Sequence, residues 1–342
     1  MTTTRFSEVY FNELKLLLSL PRKIVITTHY RPDGDAMGSA LGLYNYLIGK
    51  KHTVQVITPS DYPDFLQWLP GNDSVWNYEG RQAASDGALA EAEVIFCLDF
   101  NQLSRIEKMA EAVKKSSAAM VLIDHHLDPE TSFQFIFSYT KACSTCELVY
   151  QFIEAMGDKQ LITKVVAECI YTGIMTDTQS FKLPTVTPVV HEIVAELLKA
   201  GAENDKIYEN VYESSTEDRL RLLGHCLKDK LTVLQEFRTA YVALSQAEMD
   251  TYHFQPGDTE GVVNYALSVK GTKMAAFFSE RDGLIKISFR SKADFSVRDF
   301  AFTHFEGGGH RNASGGKSNL SLEATVSKFL DLLPKYQKDL LK

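Results

Sequence analysis

The first 125 residues alternate between short apolar runs and longer amphipathic stretches. The runs at 23–28 (Lys-Ile-Val-Ile-Thr-Thr), 53–58 (Thr-Val-Gln-Val-Ile-Thr), 93–98 (Glu-Val-Ile-Phe-Cys-Leu) and 119–123 (Ala-Met-Val-Leu-Ile) predict strands. Apolar residues at helical spacing predict helices over 6–20, 36–49 and around 103–115. The strand runs are nearly continuous in apolar residues, as in a parallel sheet covered on both faces. This half therefore reads as α/β. From Ser144 the pattern turns helical, over 144–156, 160–174, 187–200, 203–213 and 216–229. Beyond it β-type runs return at 230–234, 239–244, 274–278 and 284–289, with Asp282-Gly283 as a hairpin signal between the last two. Helices are expected over 259–269, 297–305 and 321–340. The pattern divides the chain into a parallel-sheet domain over 1–190, a helical connector over 191–229 and a smaller α+β domain over 230–342.

One loop concentrates chemistry between the first predicted strand and its helix: His29-Tyr-Arg-Pro-Asp33-Gly-Asp35. In an open α/β sheet such a loop lies outside the carboxyl end of a strand, where ligands bind. An imidazole and two carboxylates suit hard divalent ions. Asp33 and Asp35 are too close to share one small ion without a bend, which Gly34 would allow, so two ions fit the pair better. The same stretch also reads as a solvated, turn-rich loop.

The rest of the chain separates these readings. Asp99 follows the strand at 93–98, and Asp124-His125-His126 follows the strand at 119–123. Parallel strands bring both to the sheet edge that carries His29. Asp177 lies in a polar turn closing a helix, where helix capping is the alternative role. His29, Asp33, Asp35, Asp99, His125 and Asp177 make six donors, with His126 in addition. Such a set suits two metals about 3.5–4 Å apart that activate a shared water and clamp both oxygens of an in-line phosphoryl displacement. No thiolate is needed. Cys143-x-x-Cys146 has no second pair and opens a helix, so it reads as structural.

A second informative stretch is Glu306-Gly-Gly-Gly-His310-Arg-Asn-Ala-Ser-Gly-Gly316, read as a loop between two helices. Consecutive glycines let backbone N–H groups approach an anion. Gly308, Gly309, His310 and Arg311 are the candidate contacts, and an arginine pairs bidentately with phosphate. A flexible connection is the alternative.

Composition narrows the partners. The 342 residues are 44% hydrophobic and 23% charged, ample for two domains, with a net charge of −8. That charge argues against long duplex nucleic acid, and leaves room for a short phosphorylated ligand. No apolar stretch reaches the length of a membrane span. The start, Met1-Thr-Thr-Thr-Arg-Phe-Ser-Glu, lacks the apolar core of a signal peptide, and five cysteines, an odd number, suit a reducing compartment. The expectation is a cytoplasmic protein without a membrane partner.

The motif set H-x-x-x-D-x-D, an Asp after the third strand, D-H-H after the fourth and a later D resembles the DHH phosphoesterase superfamily, over roughly residues 20–185. The resemblance implies an α/β DHH domain with helices on both faces of a parallel sheet. It implies one metal on His29, Asp33 and Asp99, and another on Asp35, Asp99, His125 and Asp177, bridged by Asp99. Asp177 is a second candidate bridge. His126 would contact the substrate phosphate or protonate the leaving group, and Asp124 would orient His125. The implied ions are two Mn²⁺, with Mg²⁺ or Co²⁺ as alternatives. Residues 306–316 resemble the glycine loop of the DHHA1 domain, and Ser288-Phe-Arg290-Ser291 its strand end, which adds Arg290 and Ser291 to the substrate-binding candidates. Glu306 stands where the family pattern carries a further glycine.

Among proteins with these domains the chain resembles the short-RNA exonucleases and 3′-phosphoadenosine-5′-phosphate (pAp) phosphatases, which implies hydrolysis of short oligoribonucleotides to mononucleotides and of pAp to AMP. Short single-stranded RNA, pAp and dinucleotides are thus the implied substrates. A cyclic or linear dinucleotide phosphodiesterase and an inorganic pyrophosphatase of the same superfamily are the alternatives. A catalytically silent nucleotide-binding module is disfavoured, because none of the six donor positions is lost. The oligomeric state stays open, a homodimer included.

Overall fold

The computed structural model describes residues 8–281 and 283–342. The chain divides after Ser214 into two compact units, at a point inside the expected connector. Among the described residues no helix is long and apolar enough to cross a membrane.

The first unit holds strands β1 (Lys23–Thr27), β2 (Thr53–Thr58), β3 (Trp76–Asn77), β4 (Val94–Leu98), β5 (Ala119–Asp124) and β6 (Phe135–Ser138). They form one parallel sheet in the order β3-β2-β1-β4-β5-β6. Alternate residues of each strand enter separate cores. Ile24, Ile26, Phe96 and Val121 pack on one face, while Val25, Ile57, Ile95 and Leu122 pack on the other. Burial on both faces is the reason the runs are continuously apolar. The order reverses between β1 and β4, which opens a crevice outside their carboxyl ends.

Several elements differ from the sequence expectation. The edge strands β3 and β6 are short. The helix Gln82–Glu91 carries Leu89 as its one long apolar side chain, too little for a helical period to show. The helix expected over 103–115 is a 3₁₀ segment, Leu103–Met109, followed by a short α-helix, Ala110–Lys115. Glu107, inside the 3₁₀ segment, has φ +48° and kinks it. The first helix runs Glu8–Leu17. The remaining expectations for residues 1–7 lie outside the described residues.

The second unit is a mixed sheet of β7 (Thr232–Leu234), β8 (Thr239–Leu244), β9 (Met274–Arg281), β10 (Leu284–Ser291), β11 (Gly308–His310) and β12 (Ala313–Ser318). Its order is β11-β12-β10-β9-β8-β7, antiparallel except for β8 with β9. β9 and β10 pair as the hairpin signal predicts, although Asp282 itself lies outside the described residues. Helices Val297–His304 and Leu322–Leu341 cover one face through a cluster of Phe278, Phe289, Phe300 and Phe329.

The glycine-rich stretch is a correction. It is a β-hairpin, with Gly308 opposite Gly315, Gly309 opposite Ser314 and His310 opposite Ala313. Two of its glycines serve closure of that hairpin. Gly309 has φ +135°, and a Cβ there would lie 2.8 Å from the Ala313 carbonyl oxygen. A Cβ at Gly307 would collide with the Gly315 carbonyl oxygen across the hairpin and lie 2.9 Å from the Ala301 Cβ. A Cβ on Gly308 would meet open space.

Glu306 enters the hairpin at φ +45°, in the left-handed region. That conformation costs a side-chain residue about 1–2 kcal/mol, against about 0.5–1 kcal/mol of extra chain entropy lost by glycine. Glu306→Gly is therefore expected to stabilise the protein by about 0.5–1 kcal/mol, read as a higher denaturant midpoint. A lower midpoint would contradict the strain.

Candidate metal centre

The crevice between β1 and β4 collects the predicted donors. His29 follows β1 and is buried, with its Nδ1 2.9 Å from the Tyr30 carbonyl oxygen. A carbonyl only accepts, so Nδ1 carries the proton and Nε2 offers its lone pair. That Nε2 lies 3.5 Å from Asp99 Oδ2 and 3.9 Å from Asp33 Oδ1. Asp33 caps the helix Gly34–Gly49, its Oδ1 accepting from the backbone N–H groups of Asp35 (3.0 Å) and Ala36 (3.1 Å). Gly34 makes no special bend between the two aspartates. It is the first residue of the helix, and a Cβ there would collide with the Thr176 side chain.

Asp35 is nearly inaccessible, at 2% exposure. Its Oδ2 accepts from the Thr145 N–H (2.6 Å) and its Oδ1 from the Cys146 N–H (2.9 Å). Both donors open the helix Thr145–Ala155, whose positive end thus faces a buried carboxylate. Asp99 follows β4 with φ +63°, donates its N–H to the Ile123 carbonyl (3.2 Å), and accepts at Oδ1 from the Thr145 hydroxyl (2.9 Å). Aspartate is among the few residues that tolerate this backbone region.

At the end of β5, His125 Nδ1 lies 3.3 Å from the Ala142 carbonyl oxygen. Its Nε2 lies 3.6 Å from Asp99 Oδ1, 3.6 Å from Asp177 Oδ2 and 3.9 Å from Asp35 Oδ2. Asp177 is the last residue of the helix Lys164–Asp177. The expectation that Asp124 orients His125 is corrected here. Asp124 is fully buried and holds His126 instead, through Nδ1 at 2.7 Å and the backbone N–H at 3.1 Å. The carboxylate reaches forward two residues, and the His125 and His126 rings meet edge to face with centroids 4.9 Å apart.

These contacts give three sets in the first unit with the donor spacing of a metal site, one of them Asp99, Asp124 and His126. In His29, Asp33 and Asp99, and again in Asp35, His125 and Asp177, one donor atom from each residue lies within 4.8 Å of the others. The groups paired with Asp33, Asp35 and Asp99 are imidazoles. Burial, followed by Asp35, Asp33 and Asp177, raises the Asp99 carboxyl well above the ordinary range. Burial works against a protonated His125, yet Asp177, Asp35 and Asp124 together hold its pKa above the usual value. His29 moves the other way, lowered by burial. A crevice this rich in carboxylate and imidazole fits divalent ions bound by hard oxygen and nitrogen donors. The thiols take no part. All five cysteines are buried and unpaired, and Cys146 donates its S–H to the Asp35 carbonyl at 3.6 Å.

In the second unit, Gly308, Gly309 and His310 lie on β11, and Arg311 opens the turn to β12. The exposed Arg311 guanidinium donates to the Asp294 carbonyl (2.9 Å). Arg290 donates Nη1 to the Phe289 carbonyl (3.0 Å). Ser291, a candidate for substrate contact, has partners within its own unit. It is buried, its hydroxyl donates to the Phe295 carbonyl (2.6 Å) and accepts from the Asn312 amide (2.8 Å), so it braces the hairpin turn.

Sequence reasoning missed Thr145, which bonds both Asp35 and Asp99. The available signal was Ser144-Thr-Cys-Glu147, a helix-start pattern, in which Ser144 accepts from the Glu147 N–H (3.0 Å). Nothing in that pattern says what the helix start faces.

Comparison with known proteins extends these observations. The model of the DHH family, N-terminal domain, matches residues 23–174, and that of the DHHA1 domain matches residues 240–339. The chain is 39% identical to an exopolyphosphatase-related protein from Bacteroides fragilis, whose crystal structure superposes with a TM-score of 0.95 over 99% of this chain and 100% of that one. It is 28% identical over 307 residues to the bifunctional oligoribonuclease and PAP phosphatase NrnA of Bacillus subtilis, covering 89% of this chain and 91% of that protein. It is also 28% identical over 330 residues to the protein of the same name from Thermus thermophilus, covering 94% of each.

Gly173 tests the packing behind the donors. A Cβ there would lie 2.8 Å from Asp35 Oδ1 and closer still to Cys146 Sγ. Gly173→Ala is expected to cost about 1–3 kcal/mol by overpacking and to reduce the thermal shift produced by Mn²⁺. Melting curves with and without Mn²⁺ check both effects, and curves matching the wild type would contradict the close approach.

Proposed function

The chain belongs to the DHH family and is a phosphoesterase, and from that premise we propose that it hydrolyses short oligoribonucleotides to mononucleotides and pAp to AMP. The observation that carries this reading is the gathering of three strand ends and one helix end around two carboxylate–imidazole sets, in a chain that aligns with NrnA relatives along nearly their whole length. The two substrates share one bond chemistry, because in each a ribose 3′-oxygen departs from phosphorus. We assign the phosphoester chemistry to 1–190, the connection to 191–229 and nucleotide binding to 230–342.

His29, Asp33 and Asp99 would hold one divalent ion, and Asp35, His125 and Asp177, with Asp99, the other. Mn²⁺ is the ion we propose. When bound, such ions supply Lewis acidity that lowers the pKa of a water and offsets charge on the phosphate. The chain's own residues supply orientation. The Tyr30 carbonyl fixes the tautomer of His29, so that Nε2 remains a lone-pair donor to an ion. Asp124 fixes His126 through Nδ1, and Nε2 is then the atom through which His126 would bond a phosphate oxygen or pass a proton to the departing 3′-oxygen. In the second unit, His310 and Arg311 on the hairpin would bind the nucleotide's phosphate.

Turnover of pApA, pAp, a cyclic dinucleotide, pyrophosphate and inorganic polyphosphate in Mn²⁺, read by product chromatography, tests the reading. AMP from pApA and from pAp is expected. Release of phosphate from pyrophosphate or polyphosphate alone would contradict it. Asp99→Ala is expected to lose turnover by more than the roughly 10–100-fold that removal of an outer partner of a metal ligand costs, with chelation by EDTA doing the same to the wild type. Arg311→Ala is expected to raise the KM for pAp about tenfold, near 1.4 kcal/mol, while leaving Mn²⁺ binding unchanged. An unaltered KM would remove Arg311 from the binding site.

A further inference from the structure

We propose that Thr145 is the positioning residue that sets the spacing between the two sets of metal donors, an inference that rests on the two-ion reading above. Asp35 belongs to one set, with His125 and Asp177, and Asp99 to the other, with His29 and Asp33. The two aspartates come from separate elements, the helix that follows β1 and the turn that follows β4. Thr145 ties them together. Its N–H donates to Asp35 Oδ2 (2.6 Å) and its hydroxyl donates to Asp99 Oδ1 (2.9 Å).

The linkage is stiff for three reasons. The two donor atoms are three covalent bonds apart, and a β-branched side chain has few χ1 choices. Thr145 is fully buried at the start of an eleven-residue helix, where Ser144 accepts from the Glu147 N–H and the Cys143 N–H donates to Glu147 Oε2 (2.7 Å). The helix start is thereby fixed against rotation. Asp99, with φ +63°, has a backbone that does not by itself aim its carboxylate, so the hydroxyl bond supplies the aim.

The bond pair also answers an electrostatic problem. Two neighbouring buried carboxylates repel, and without a donor between them they would turn apart until ions arrive. Thr145 places the positive ends of an N–H and an O–H between them, which holds the arrangement ready before loading. Groups of this kind, which touch a ligand residue and not the ion, change metal affinity about 10–100-fold when removed.

The test compares full-length wild type, Thr145→Ser, Thr145→Val and Thr145→Ala, stripped of metal and titrated calorimetrically with Mn²⁺ alone. Thr145→Ser keeps both donors and is expected to match the wild type in stoichiometry and affinity. Thr145→Val keeps the shape and the N–H but loses the hydroxyl, and is expected to bind Mn²⁺ about 10–100-fold more weakly while melting in EDTA within a few degrees of the wild type. Thr145→Ala is expected to show the same weakening, and it carries the comparison if the valine variant does not fold. Since Thr145 is fully buried, kcat at limiting Mn²⁺ should fall while KM for pAp holds, and serine should restore it. Wild-type Mn²⁺ affinity in the valine and alanine variants, or serine as weak as valine, would overturn the inference alone. A wild type that binds no Mn²⁺ would overturn the two-ion reading and this inference with it.

Discussion

The structure turns on the burial of several carboxylates in one crevice. Asp35 and Asp99 are each 2% exposed and Asp124 is inaccessible, with Asp33 and Asp177 beside them. Two unit charges about 4 Å apart repel by about 4 kcal/mol at the effective dielectric of a protein, so such a cluster persists only with compensation. The chain supplies three imidazoles, two helix starts and the Thr145 hydroxyl. These are neutral or weakly cationic groups, and the remaining charge defines what the site is built to take up. The sheet order decides where the cluster sits, because the reversal between β1 and β4 is the place where strand ends face an open crevice.

Much of this was legible in the sequence for a specific reason. A strand buried on both faces advertises itself as an apolar run, and a polar residue directly after such a run is fixed at one sheet edge. His29, Asp99 and Asp124-His125-His126 were found in that way. Asp177 was harder, since it ends a helix and a capping role explains a lone aspartate equally well. What escaped the sequence depends on tertiary approach. Thr145 sits in an ordinary helix-start pattern, and only the packing of that helix against the helix bearing Asp35 turns its N–H and hydroxyl toward carboxylates. The partner of Asp124 was misassigned because sequence adjacency favours His125, while the strand end turns the His126 ring back onto the carboxylate.

The second unit teaches a different lesson. Glycines at 307–309 and 315–316 hid a hairpin, because strand prediction relies on β-branched and aromatic residues, and these positions have no side chain to carry the signal. The glycines were read as freedom for a ligand. At Gly307 and Gly309 they answer close approach and a positive φ within the hairpin itself. Ser291, Asn312 and the Phe295 carbonyl then lock the turn that displays Arg311. These bonds tie the turn to the segment that follows β10.

The central claim is that the crevice holds two divalent ions on these donors. Anomalous diffraction from Mn²⁺-soaked crystals, collected at the manganese absorption edge, addresses it directly. The account predicts two peaks per chain, one against His29, Asp33 and Asp99 and one against Asp35, His125 and Asp177, with Asp99 between them. A single peak, or manganese away from these residues, would contradict it.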